Sequence, residues 1–221
     1  MTAGAPPTTV HDGYQLTDKD ADQLRMTDSE YKLQSWDSLL SIIRENRLED
    51  LKRVPSDLKR YIAWSHKTRE EYGSIQAFVL KERLGWEDLK AKNSVPFADP
   101  DDTKILINDW PYGNEPGILH LVCWTKAAIA TVPPAGDLTP ESRRIIQDWV
   151  DKTFVSRLGC ENVMWFKNWA SIQSVRSVEH VHVLVRNYTE EFVEEVVGRD
   201  ARDVKPIGER EKERALATME N

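Results

Sequence analysis

The run Ser177-Val178-Glu179-His180-Val181-His182-Val183-Leu184 is rich in β-branched residues and predicts a strand over residues 178–185. Side chains alternate along a strand. His180 and His182 therefore leave one face, while Glu179, Val181 and Val183 leave the other. Two imidazoles on one wall suit a nucleophile, a general base or metal ligands. The chain has only five histidines, and a third, His120, lies on another predicted strand. A lone buried histidine is usually structural. Two on one face, beside Glu179 and after Ser174 and Ser177, point to proton transfer near neutrality. A metal would draw on His180, His182 and His120, but no HExxH or carboxylate-rich motif accompanies them, so neither metal nor cofactor is expected.

Upstream, Asn108-Asp109-Trp110-Pro111-Tyr112 leaves a predicted strand over residues 104–108. An Asn-Asp pair there can orient a hydroxyl, amine or guanidinium against Trp110 and Tyr112. It can equally hold its own turn through side-chain-to-backbone hydrogen bonds. Further along, Trp165, Lys167, Asn168 and Trp169 could supply oxyanion donors. The chain has eight tryptophans; Trp110, Trp124, Trp165 and Trp169 crowd this region as core or as the walls of a pocket.

Residues 1–30 are polar, without sustained periodicity, and are expected to be disordered or a loosely attached arm. Residues 31–198 read as a single domain, with a helical part over 36–90 and a sheet-containing part over 100–198. Residues 199–221 form a charged tail. Trp36, Leu39, Leu40 and Ile43 recur at helical spacing. Pro55 closes that unit, and Ser56 offers an N-cap to the next helix. A short helix follows over 75–84. Residues 118–124 and 163–166 are further strands. Thr139 with Pro140, and Thr189 with Gly198 beyond, bound two later helices. Helices first, then strands around one long helix, predict an α+β fold with a mostly antiparallel sheet, an N-terminal helical hairpin and flanking helices.

A net charge of −7 argues against an overall basic field for nucleic acid. Arg44, Arg47, Lys52, Arg53, Lys59, Arg60, Lys67 and Arg69 make a local basic face that could contact phosphates, but Glu45, Glu49, Asp50 and Asp57 dilute it, and an ordinary solvated surface is the alternative. Cys123 and Cys160 lack CxxC spacing and read as free thiols of a reducing cytosol. Residues 1–7 lack the pattern of a secretory signal, and residues 117–132 are too short to span a bilayer. A cytoplasmic chain without membrane contact is expected. Neither GxGxxG nor GxxxxGK[ST] occurs, so no familiar phosphate cradle signals an ATP-driven reaction.

Residues 46–53 (NRLEDLKR), 72–75 (YGSI), 82–86 (ERLGW), 104–113 (KILINDWPYG), 165–169 (WFKNW) and 177–183 (SVEHVHV) together resemble a fungal family labelled N-acetylglucosamine-induced protein. The likeness covers about residues 36–197. Within or near that family lie the fungal arginine-containing cyclodipeptide synthases, to which this chain is similar in length and layout. That resemblance implies an aminoacyltransferase of secondary metabolism, which makes cyclo-Arg-Xaa diketopiperazines from arginyl-tRNA and a second aminoacyl-tRNA. On this expectation His180 or His182 is the base, with Glu179 beside them, and Lys167 and Asn168 contact the carbonyl oxygen. Asp109 or Glu179, with Trp110 or Trp124, holds the arginine side chain. Asn108, Tyr112, Trp165 and Ser174 complete the substrate pocket, and the basic helical face holds the tRNA. Ser174, Ser177, Cys160 and His182 are the candidates for a covalent acyl intermediate.

Residues 177–184 are also similar to the start of the histidine-triad signature, His-x-His-x-His, of nucleotide hydrolases and transferases. That likeness implies a related fold and chemistry at a nucleoside phosphate, with His182 as the middle histidine. Leu184 stands where the third histidine would be. A non-catalytic binding protein is the remaining alternative.

Overall fold

The computed structural model describes residues 9–11, 14–134, 136–198 and 206–219. Most of the predicted elements are present, and the caps explain their starts. Strands β1 (Thr9–His11) and β2 (Tyr14–Leu16) form a small antiparallel pair. Helix α1 (Asp18–Leu24) follows, capped where Thr17 Oγ1 accepts from the Asp20 N–H at 3.1 Å. The described part of the expected arm is therefore attached to the body. Leu16 and Ala21 are buried, and the buried Gln23 amide donates to the Arg53 carbonyl. Three anchors in a polar stretch lie below what helical periodicity can detect. Residues 1–8 lie outside the described residues.

Ser35 caps α2 (Trp36–Arg44), whose Trp36, Leu39 and Ile42 are buried. Helix α3 (Pro55–Tyr72) corrects the expected cap. Pro55 opens the helix instead of closing the previous unit, because a missing N–H and a preset φ suit the first position. Ser56 does not cap; its N–H donates to the Asp28 carboxylate at 2.8 Å. Gly73, at φ 78°, ends α3 in the left-handed region that a side chain disfavours. Ser74 then caps α4 (Ile75–Phe78), which continues as a wider turn over Val79–Leu84.

The sheet consists of β3 (Thr103–Ile107), β4 (Leu119–Thr125), β7 (Val163–Phe166) and β8 (Glu179–Val185), in the order β3-β4-β8-β7, with every neighbour antiparallel. Strands β5 (Thr131–Val132) and β6 (Asp137–Leu138) make a separate short pair. Helix α5 (Pro140–Val150), capped by Thr139, runs through a wider turn over Asp151–Val155 into α6 (Ser156–Leu158). Thr189 caps α7 (Glu190–Val197). The fold is thus α+β with an antiparallel sheet. Among the described residues no helix is long and apolar enough to cross a membrane.

Both sheet faces are covered. Leu121, Cys123, Val181, Val183 and Val185 pack on Ile146, Val150, Phe154, Phe192 and Val193 of the α5 and α7 side. On the opposite face, α2 covers Met164, Phe166 and Leu184. Ile75, Val79 and Leu84 cover Leu106, Val122 and Trp124. The expected tail carries α8 (Ile207–Met219), which is anchored at its start. Ile207 is buried, its N–H reaches Asp109 Oδ1 at 3.1 Å, and the Gly208 N–H reaches the Asp109 carbonyl at 2.9 Å. One apolar side chain in a charged stretch is enough to dock it; residues 199–205 lie outside the described residues.

Candidate functional site

Between the two clusters on the second face lies a cavity of about 130 Å³. Register builds its floor. Val122 pairs with His182, Trp124 with His180 and His120 with Leu184, so all six side chains leave the same face. His180 and His182 are buried yet line the cavity, together with Asn108, Asp109, Trp110, Tyr112, Trp124, Asn168 and Ser174. Nine of the residues expected to form the site therefore converge.

The imidazoles are joined by hydrogen bonds. Asn168 Nδ2 donates to His182 Nε2 at 3.2 Å, which leaves the His182 Nδ1–H to donate to His120 Nε2 at 3.0 Å. Asn168 Nδ2 also lies 3.2 Å from the Tyr112 hydroxyl, and Asn108 Nδ2 lies 3.2 Å from His120 Nε2. The Asn108 Oδ1 accepts the Trp110 N–H at 2.9 Å, so this residue serves both its turn and the histidines. Phe166 stacks on His182, with centroids 4.9 Å apart and planes at 10°.

His180 is different. Its Nδ1–H donates to the Val178 carbonyl at 2.8 Å, and Trp124 lies against the ring at 4.5 Å. That bond leaves Nε2 as the basic nitrogen, and Nε2 has no protein hydrogen bond among the described residues. Burial pushes His180 down to about 4, against the Val178 carbonyl and with the help of the Lys167 charge. Burial and Arg53 push His120 down to about 3. Burial, then His120, His180, Arg53 and Lys167, hold His182 well below the usual imidazole range. All three are neutral at physiological pH. The indole nitrogens of Trp110 and Trp124 and the Asn168 Oδ1 are buried without a hydrogen-bond partner. Such groups cost free energy until something pairs with them.

Several expected residues are elsewhere. Phe166 faces His182 across the strands, so its neighbours Trp165 and Lys167 leave the other face. The Trp165 indole donates to Gln147 of α5 at 2.7 Å. Lys167 is buried against Glu179, Nζ to Oε2 3.2 Å; alternation had already turned Glu179 away from the histidines. These three contact neither cavity nor imidazole, and Lys167 acts on the histidines only through its charge. Asp109 lines the cavity but is engaged, 2.8 Å from Arg83 Nε and accepting from Ile207. Burial raises its carboxyl against the Arg83 charge.

The basic helical face also divides. Arg47 pairs with Glu45 and Asp50, and Arg60 with Asp57. Lys59 is exposed. Arg53 instead turns inward, with Nε 3.1 Å from the Trp110 carbonyl and its guanidinium 4.2 Å from the Tyr61 ring centroid. Sequence reasoning missed Tyr61, Trp64 and Arg83 as wall residues. Arg83 lies in the 82–86 motif, and Tyr61 and Trp64 one turn apart on α3, but neither position shows from sequence what it faces. Among the described residues, no three His, Cys, Asp or Glu side chains are grouped to hold a metal ion.

The chain is 27% identical to N-acetylglucosamine-induced protein 1 of Candida albicans over 190 residues, covering 77% of this chain and 75% of that one. It is 29% identical over 175 residues to the uncharacterized protein YPL067C of Saccharomyces cerevisiae, covering 76% and 87%. The solved structure titled "Crystal Structure of HTC1" superposes with a TM-score of 0.60 at 26% identity, covering 78% of this chain and 98% of that one. The sheet and the cavity residues from Arg53 to His182 fall within residues 35–186, which match the family model described as "Protein of unknown function (DUF3605)", and the chain belongs to that family.

Proposed function

We propose that the protein is an aminoacyl-tRNA-dependent synthase of arginine-containing cyclic dipeptides, with His180 as the general base. The observation that carries this reading is a neutral imidazole, fixed through Nδ1 and without a protein partner at Nε2, in a cavity with unpaired indole N–H donors. Ester aminolysis needs those two things: a base for the attacking ammonium and a donor for the carbonyl oxygen. The absence of a phosphate-cradling motif fits a substrate that arrives already activated.

In the first step the arginyl amine attacks the carbonyl carbon of the second aminoacyl ester. The new C–N bond replaces the ester C–O bond; His180 takes the ammonium proton and returns it to the departing ribose oxygen. In the second step the free amine of the dipeptide attacks the remaining ester and closes the six-membered ring. The Trp110 and Trp124 N–H groups take the oxyanion role expected of Lys167. Tyr61, Trp64 and Trp110 pack against one another in the wall, an aromatic surround of the kind that receives a guanidinium, and Arg53 already lies over Tyr61. Asp109, with two acceptor positions used and about two left, adds a carboxylate beside them.

The histidine-triad alternative wants a reactive nitrogen on the middle histidine, and both His182 nitrogens are engaged. Purified protein given arginine, a second amino acid, their synthetases, tRNA and ATP should form a cyclic dipeptide by mass spectrometry, with RNase or His180→Ala abolishing it. No product across all twenty partner amino acids would overturn the reading. Release of nucleoside monophosphate from dinucleoside polyphosphates would move it to the alternative.

A further inference from the structure

A second, larger cavity of about 730 Å³ adjoins the first, and the two share Arg53, Tyr61, Tyr112, Ile172 and Ser174 as walls. Lys19 of α1, Lys52 and Arg53 line it. Among the described residues none of these three cations makes an ion pair. The single carboxylate in the wall is Asp20, whose Oδ2 is taken by the Thr17 hydroxyl at 2.8 Å. Burial and the nearby Lys52 charge lower the Lys19 amine, and the Asp20 and Glu49 carboxylates oppose them only in part.

We propose that this outer cavity is a phosphate subsite, in which Lys19, Lys52 and Arg53 hold the phosphate of a terminal nucleotide whose reactive end enters the histidine chamber. Arg53 belongs to both spaces: its guanidinium lies at 4.2 Å over Tyr61 and at 5.6 Å over Tyr112. It therefore sits where a phosphate outside and a reacting group inside would meet. The Tyr61 hydroxyl donates to Ser174 Oγ at 2.9 Å across the same border. The nucleotide is the 3′ end of an RNA or a free nucleotide; the chemistry recognised is the same. The subsite deepens the synthase reading by adding Lys19 and the outer cavity to Lys52 and Arg53 of the basic face, and it stands without that reading if free nucleotide is the occupant.

The test measures equilibrium binding of two probes, a deacylated RNA hairpin with a single-stranded 3′ end and adenosine monophosphate, from 0.05 to 0.3 M salt. For the RNA, Lys19→Gln/Lys52→Gln should bind roughly tenfold more weakly at 0.1 M salt, and the slope of log K against log salt should flatten by about 1.4, or about 0.7 per contact. Lys52→Gln alone should flatten it by about half as much. Arg143→Gln/Arg144→Gln, the same charge change on α5, should leave it unaltered. Tighter, variant-sensitive binding of RNA identifies an acceptor end; equal, variant-sensitive binding of the monophosphate identifies a free nucleotide. Unchanged slopes in both lysine variants, equal losses in the α5 control, or no binding of either probe overturn the subsite. Cyclic dipeptide formation is scored separately. Product with unchanged slopes removes the subsite and keeps the synthase, while variant-sensitive binding without product does the reverse.

Discussion

The two faces of β4 and β8 are made by alternate residues of the same strands, yet they obey different rules. Toward α5 and α7, Leu121, Val181, Val183 and Val185 are fully buried among apolar side chains. Toward α3 and α4, His120, Trp124, His180 and His182 are nearly as buried, but polar atoms remain without partners. A dry face repays burial through packing. A face with unpaired indole nitrogens and an amide oxygen gives up stability that a ligand can recover. Depth of burial therefore does not separate core from candidate site here; unmatched polar valence does.

Paired substitutions should break that comparison most severely if it is wrong. On the proposed synthase reading, His180→Ala is expected to lower kcat by about 10²–10⁴-fold, with a stability cost of about 1 kcal/mol for the lost bond to Val178. Phe154→Ala on the dry face should cost about 3–5 kcal/mol in denaturant unfolding while sparing the activity of the folded fraction. A Phe154→Ala variant with the same loss of synthase turnover would erase the distinction between the faces.

The Arg83–Asp109 pair belongs to the polar side. Arg83→Met leaves a buried carboxylate alone and should destabilise the protein by about 3–5 kcal/mol. Asp109→Asn in the same background should restore much of that, and the melting temperature reads both.

Acid should act through the imidazoles. His180 is held down to about 4 and His120 to about 3, against an unfolded value near 6.5. Between those values the unfolded chain binds protons that the folded chain refuses. Stability is therefore complete above about pH 6.5 and declines as pH falls toward 4. Even half of the His180 displacement corresponds to roughly 2 kcal/mol. His180→Phe should flatten the profile of unfolding free energy against pH, and an unchanged profile would show that His180 does not contribute. On the proposed reading, with His180 neutral from about pH 5 upward, synthase turnover should not decline between pH 8 and 6 through this group.

The smallest effect sharpens the point about valence. Trp124→Phe removes an unpaired indole N–H, so ligand-free stability should change by less than about 1 kcal/mol, whereas transition-state binding should lose about 1 kcal/mol or more. Thermal melting and kcat/KM separate the two.

Much of the fold was legible because its signals are local. Thr139 and Thr189 cap their helices as expected, since a hydroxyl at the N-cap acts on an N–H three residues away. Val54 and Asp28 at the start of α3 were not legible, because Asp28 reaches Ser56 from outside the helix. Glu179 and Lys167 were expected at the site on residue type, although alternation sends them to the other face.

Sequence alone determined that His180 and His182 share a face, because the two-residue repeat of a strand is a property of the backbone. It left open whether Asn108 would hold its own turn or orient a ligand, and the structure places its Oδ1 on the Trp110 N–H. Only the tertiary structure decided that His182 is locked by His120 and Asn168 while His180 keeps a free nitrogen, that Arg53 turns inward and Arg47 outward, and that Ile207 docks the tail on Asp109. Those outcomes depend on which polar atoms arrive from distant segments and how deeply they are desolvated, and neither quantity has a repeat to read along the chain.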